Sequence, residues 1–173
     1  QSDIPADASA VFGSLDNGFR YMILPNSEPP DRVSIRLHIA AGALMEEDDQ
    51  RGLAHFLEHM VFNGTQSFKD ANTLIRQMQT RGIAFGAHVN AYTSFDETVY
   101  MLDLPDLKPD TMDLCFGIMR DFGDGALLSE EEINAGRGGI LSEKRSRDSV
   151  GYRMMQKQFA TLLPGSLIPK RFP

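Results

Sequence analysis

His55, Glu58 and His59 fall within five residues of one another, in the order His-Phe-Leu-Glu-His. At 3.6 residues per turn, positions four apart lie about 40° apart around a helix. Both imidazoles then project from one face, one turn apart, and can grip one cation. Glu58 lies about 60° from His55 on the other side. It reaches the space in front of that cation without binding it. Zinc suits such a set: two neutral imidazole nitrogens, one carboxylate oxygen and an open fourth position for water, whose pKa the metal lowers to about 7. An adjacent carboxylate can accept that water's proton, which yields a nucleophile for a peptide carbonyl at neutral pH.

The third ligand is not chosen by spacing. Glu130, Glu131, Glu132 and Glu143 all lie on or near one later helix, and each is a candidate. The surrounding elements follow from periodicity. Asn17-Gly18 suggests a hairpin turn, and Phe19 to Leu24 reads as a strand. Val33 to Ala40 alternates, with Val33, Ile35, Leu37 and Ile39 on one face. Gly52 to Phe62 turns helical, with Leu53, Phe56, Leu57 and Met60 at three- and four-residue spacing, and Asn63-Gly64 closes it. Asp70 opens a second helix that stops near Gly82. Val89 to Phe95 and Thr98 to Leu104 read as two strands of a hairpin, and Lys108 to Phe122 as a third helix. Ser129 with Glu132 forms a capping box for a fourth helix that runs beyond Glu143. The order is ββααββαα. Strands in pairs and helices in pairs predict an α+β fold, an antiparallel sheet with helices packed on one face.

The inverted spacing H-x-x-E-H is the inverzincin signature, and here a wider resemblance emerges. Arg51 to Thr65 resembles the active-site helix and exit of the insulinase/pitrilysin family of zinc metallopeptidases. Asn90 to Tyr100 resembles that family's following strand pair, and Gly139 to Arg145 its later glutamate helix. The resemblance runs from about Leu15 onward. It implies a pitrilysin-like N-terminal catalytic half-domain over residues 15–163, truncated, with 1–14 as an extension and 164–173 as an extended connector. It also implies one Zn2+ per chain on His55, His59 and Glu143, and Glu58 as general base. Asn90 and Ala91 would hold an extended substrate backbone against the sheet edge. The implied activity is endopeptidase cleavage of extended peptides or small unfolded proteins. Further domains of the same polypeptide, or a homologous subunit, would complete the chamber, so that this chain alone binds zinc and cleaves poorly.

One position departs from the family pattern. Seven residues before the ligand the family places a second glutamate, and here stands Gly136; Glu132, one turn earlier, is the available substitute. That loss supports an alternative, a non-catalytic peptide-binding or structural subunit. The retained zinc triad argues against it.

The remaining residues bound the answer. The chain has 173 residues, 42% hydrophobic and 24% charged, which is a globular composition and room for one core. A net charge of −7 argues against nucleic acid or an anionic membrane surface as main partner. No run approaches the length of a membrane span. A non-methionine start and a single cysteine, Cys115, suit a protein exported to a bacterial periplasm. Cys115 reads as a buried small hydrophobe, and Met112 and Met119 as core packing. His38 and His88 read as ordinary polar strand residues. Glu46 to Asp49 reads as a solvated loop, and Lys144, Arg145 and Arg147 as a solvated helix face.

Overall fold

Asn17 and Gly18 turn the chain between β1 (Val11–Ser14) and β2 (Arg20–Ile23), which pair antiparallel as a two-stranded sheet. Gly18 has φ of 84°, and the Asn17 side chain accepts from the Phe19 amide. Gly13 faces Tyr21 across the pair, and a Cβ there would run into the tyrosine ring. This computed structural model describes residues 5–173; residues 1–4, the start of the expected extension, lie outside the described residues. The chain divides after Arg32 into two compact units, the hairpin in the first and the site-bearing elements in the second.

In the second unit, β3 (Val33–Ile39), β4 (Val89–Thr93) and β5 (Thr98–Leu104) form an antiparallel sheet in the order β3-β5-β4. Its register sets Leu37 opposite Tyr100 and Ala91 on that tyrosine's other side. Alternation works as the pattern requires. Leu37, Tyr100, Leu102 and Leu104 enter the core, while Ser34 and Arg36 bond Asp103 on the outer face. The core's opposite wall is built from α1 (Leu53–Asn63), α2 (Ala71–Gln79) and α3 (Pro109–Asp124), through Val61, Leu74, Met78, Cys115, Ile118, Met119 and Phe122. Burying these side chains, at about 25 cal/mol per Å² of apolar surface, is the main force holding the unit together.

The element order is βββααββααα rather than ββααββαα. β1 went unread because it has four residues and no alternation across Gly13. The fourth helix is α4 (Glu130–Arg147), capped as expected by Ser129, which accepts from the Glu132 amide. It stops at Asp148, and Ser149 caps a separate α5 (Val150–Leu162) by accepting from Tyr152 N. Neither helix holds a buried residue, so no apolar stripe marked their boundary.

Residues 164–173 fold back onto the site-bearing unit. Ile168–Lys170 makes a 3-10 turn. Arg171 is buried, donates to the Glu46 carbonyl and pairs with Asp48. Phe172 packs against Phe95, Tyr152 and Phe159. Two members of the acidic cluster that reads as solvated are thus engaged. The Glu46 carboxylate also accepts from the Gly52 and Ala54 amides, capping α1 from outside the helix.

Candidate metal centre

The site is built on α1, α4 and β4. Gly52, with φ of 92°, turns the chain into α1, and no residue of that helix caps its own N-terminus. Glu46 does so instead, placing a carboxylate where the helix dipole favours negative charge. At the other end a clamp joins the two helices that carry the histidines and Glu143. Asp121, buried on α3, accepts from Thr65 Oγ1 at 2.6 Å and Ser67 N at 2.8 Å. Gln66 N donates to Gly125 O and Leu127 N to Gly64 O, so the exit of α1 is tied to the entry of α4.

Three donors converge. His55 Nε2 and His59 Nε2 are 3.2 Å apart, and Glu143 Oε2 lies 3.1 Å from His59 Nε2 and 3.6 Å from His55 Nε2. A tetrahedral zinc, with bonds of about 2.0–2.2 Å, needs donors about 3.3–3.6 Å apart, and the three separations come within about 0.2 Å of that range. The triangle fits one such ion. Among the described residues, these three alone cluster as possible metal ligands, and Glu132 offers no oxygen to them. Burial holds the His55 imidazole below its ordinary pKa, against the opposing pull of the Glu58 and Glu143 carboxylates. The neutral ring is the form that binds a metal.

Glu58 is 7% exposed and opens on the same cleft of about 440 Å³. Its Oε2 accepts a 2.6 Å bond from Thr93 Oγ1 on β4, leaving Oε1 as the oxygen free to act. Asn90 and Ala91 lie on β4, the edge strand beside this cleft. Asn90 Oδ1, in the side chain, accepts from the Ala91 backbone amide at 2.9 Å.

Sequence reasoning missed Thr93 as a site residue and read Arg147 as part of a solvated helix face. Thr93 lies three residues beyond Asn90, within the Asn90 to Tyr100 stretch, but its partner is set by how β4 meets α1. Arg147 pairs with Glu143 Oε1 and lines the cleft, so it is no simple solvated residue. His38 pairs with Glu97 on the sheet, and His88 Nδ1 accepts from the Ala84 amide. Gly136 stands where α4 meets α1, and a Cβ there would lie 3.1 Å from Met60 Sδ and 3.2 Å from Asn63 Nδ2.

Comparison with known proteins agrees with this architecture. The probable zinc protease PqqL of Escherichia coli is 40% identical over 160 residues, covering 92% of this chain and 17% of that protein. The probable zinc protease PqqL of Haemophilus influenzae is 35% identical over 172 residues, covering 99% of the chain and 18% of the relative. This chain therefore spans under a fifth of these relatives' length. The crystal structure of the periplasmic protease PqqL from E. coli superposes with a TM-score of 0.93 at 38% identity, over 99% of this chain and 19% of that one. Pitrilysin, at 23% identity and a TM-score of 0.73, shares the fold over 96% of this chain and 17% of its own. Residues 21–158 match the family described as Insulinase (Peptidase family M16), and the chain belongs to that family.

Proposed function

We propose that this chain is the zinc-binding catalytic half-domain of an endopeptidase that cuts extended peptides or small unfolded proteins. The observation that carries the reading is the convergence of His55, His59 and Glu143 from two helices, with the Glu58 carboxylate in the same cleft. His55, His59 and Glu143 would hold a zinc ion, which when bound would supply Lewis acidity toward a water and the scissile carbonyl. Glu58, anchored through Oε2 by Thr93, takes the water's proton on Oε1 and hands it to the departing amine nitrogen. The β4 edge, with Asn90 and Ala91, lies where an extended substrate adds a strand through main-chain hydrogen bonds.

The remainder of the protease would close the chamber, as the small share of the relatives covered here supports. This chain alone then binds zinc but turns over little peptide. A periplasmic setting is supported by the E. coli neighbour described as periplasmic. No described helix is long and apolar enough to cross a membrane.

The glycine at position 136 favours a second reading, a catalytically silent peptide-binding subunit. Metal analysis with mutagenesis separates the two. About one zinc per chain, lost in His55→Ala and His59→Ala, is expected for the peptidase. A chain that takes up no zinc at neutral pH is the scaffold. Rapid cleavage of a fluorogenic peptide by the purified chain, abolished in Glu58→Gln, refutes its dependence on the remainder.

A further inference from the structure

We propose that Arg147 is a positioning residue that fixes the Glu143 carboxylate so that only one oxygen faces the histidine pair; this rests on the zinc reading above. Helix α4 buries no residue, so packing does little to choose a rotamer for Glu143. A free glutamate side chain carries rotamer entropy that ligation must overcome. Arg147 sits one turn later on the same face, at the i,i+4 spacing that brings such a pair together, with the acidic member N-terminal as the helix dipole prefers. Its Nη2 pairs with Glu143 Oε1 while Oε2 points at both imidazoles. The two oxygens are thus divided between a guanidinium and the metal position, which favours single-oxygen ligation and the open fourth position that catalysis needs. Lys144 and Arg145, one and two residues from Glu143, face elsewhere on the helix. They line a neighbouring crevice, whereas Arg147 also lines the cleft that holds both histidines and Glu143.

Two effects of this cation oppose each other. A positive group beside a metal site repels the metal, but Arg147 is half exposed and water screens that repulsion. An outer partner that orients a ligand typically contributes 10–100-fold in metal affinity. Positioning therefore outweighs repulsion, and the sign of the mutational effect reports which one acts.

The experiment is zinc affinity of this chain at pH 7.5, measured by competition with a chromophoric chelator, for wild type, Arg147→Met and Arg147→Lys. Circular dichroism reports whether each variant is folded. The expected result is a loss of about 10–100-fold in Arg147→Met, with Arg147→Lys recovering most of it. The cobalt(II)-loaded variants supply a second readout. Visible bands that weaken or shift in Arg147→Met and return in Arg147→Lys are expected from an altered carboxylate ligand, and a general loss of stability does not produce them. Unchanged or tighter zinc binding in Arg147→Met, with unchanged cobalt bands, overturns the role of Arg147 alone. A wild type that binds neither ion overturns the zinc reading itself, and this proposal with it.

Discussion

Thr93 Oγ1 donates a 2.6 Å hydrogen bond to Glu58 Oε2, joining the edge strand to the histidine-bearing helix. The acceptor is a buried carboxylate, and bonds to charged groups contribute about 1.5–3 kcal/mol. In a form of the protease that turns over peptide, Thr93→Val is expected to lower kcat about 10–100-fold. KM and zinc content should hold, and Thr93→Ser should restore most of the rate. A rise in KM with kcat intact would place Thr93 in substrate binding instead.

Asp121 clamps the exit of the first helix to the segment that enters the fourth. Burial raises its pKa, but the bonds from Thr65 and Ser67 outweigh burial and hold the carboxyl below its ordinary value of 3.8. The folded chain thus binds this proton less readily than the unfolded chain does. The stabilisation is fully present above the unfolded value and is lost as pH falls through the lower folded one. Asp121→Asn should cost about 1–3 kcal/mol at pH 7 in urea unfolding. The gap between variant and wild type should narrow below pH 4. A gap that stays constant down to pH 2 would assign the loss to packing.

The histidine pair was legible because its geometry is local: five residues on one amphipathic helix fix where both rings point. Glu143 was not singled out by spacing, since four glutamates on one helix compete and only tertiary packing selects among them. Thr93 and Arg147 were illegible for a related reason. Threonine on a strand is ordinary, and its partner is decided by how β4 meets α1; the Glu143–Arg147 spacing is local, but that the pair faces the histidines is decided by how α4 meets α1. Among the elements, β3 and the first two helices announced themselves through apolar periodicity, and β4 and β5 through their β-forming residues. β1 is too short to alternate, and the break between α4 and α5 lies in a polar run with no buried face.

Glu46 shows the same limit from the other side, because an acidic loop residue serves as the cap of a helix that starts seven residues later. Its two oxygens each accept from an amide, at 2.9 Å, from Gly52 and Ala54. Losing a helix cap costs about 0.5–2 kcal/mol. Glu46→Ala should lower stability by that amount in urea unfolding, and Glu47→Ala, which caps nothing, should not. Equal effects of the two would reduce the Glu46 role to general loop charge.

Cys115 offers a check on the packing between α3 and the sheet. Its thiol is fully buried, and burial pushes its pKa up to about 11. The thiolate is the reactive species, so alkylation by iodoacetamide at pH 8 should be slow in the folded chain and fast in urea. Rapid labelling of the native chain would mean that α3 opens readily from the core.

Three glycines in α4 separate a packing role from a mere defect in helix propensity. Gly138 and Gly139 have nothing within 4 Å of where a Cβ would stand, so each costs the helix about 1 kcal/mol relative to alanine with no compensating contact. At Gly136 a Cβ would come within 3.1 Å of Met60 Sδ and 3.2 Å of Asn63 Nδ2, both on the helix that carries His55 and His59. The double change Gly138→Ala, Gly139→Ala should raise stability by up to about 2 kcal/mol, a Tm increase of about 4–8 °C. Gly136→Ala gains the same propensity but must push Met60 and Asn63 aside, and small-to-large changes in a packed contact cost about 1–3 kcal/mol. Its net effect should be zero or destabilising, with zinc affinity falling if the helices are forced apart. A Gly136→Ala variant as stabilised as either of the others would show that α4 has room to move away from α1, and that close approach at this glycine is no constraint on the site.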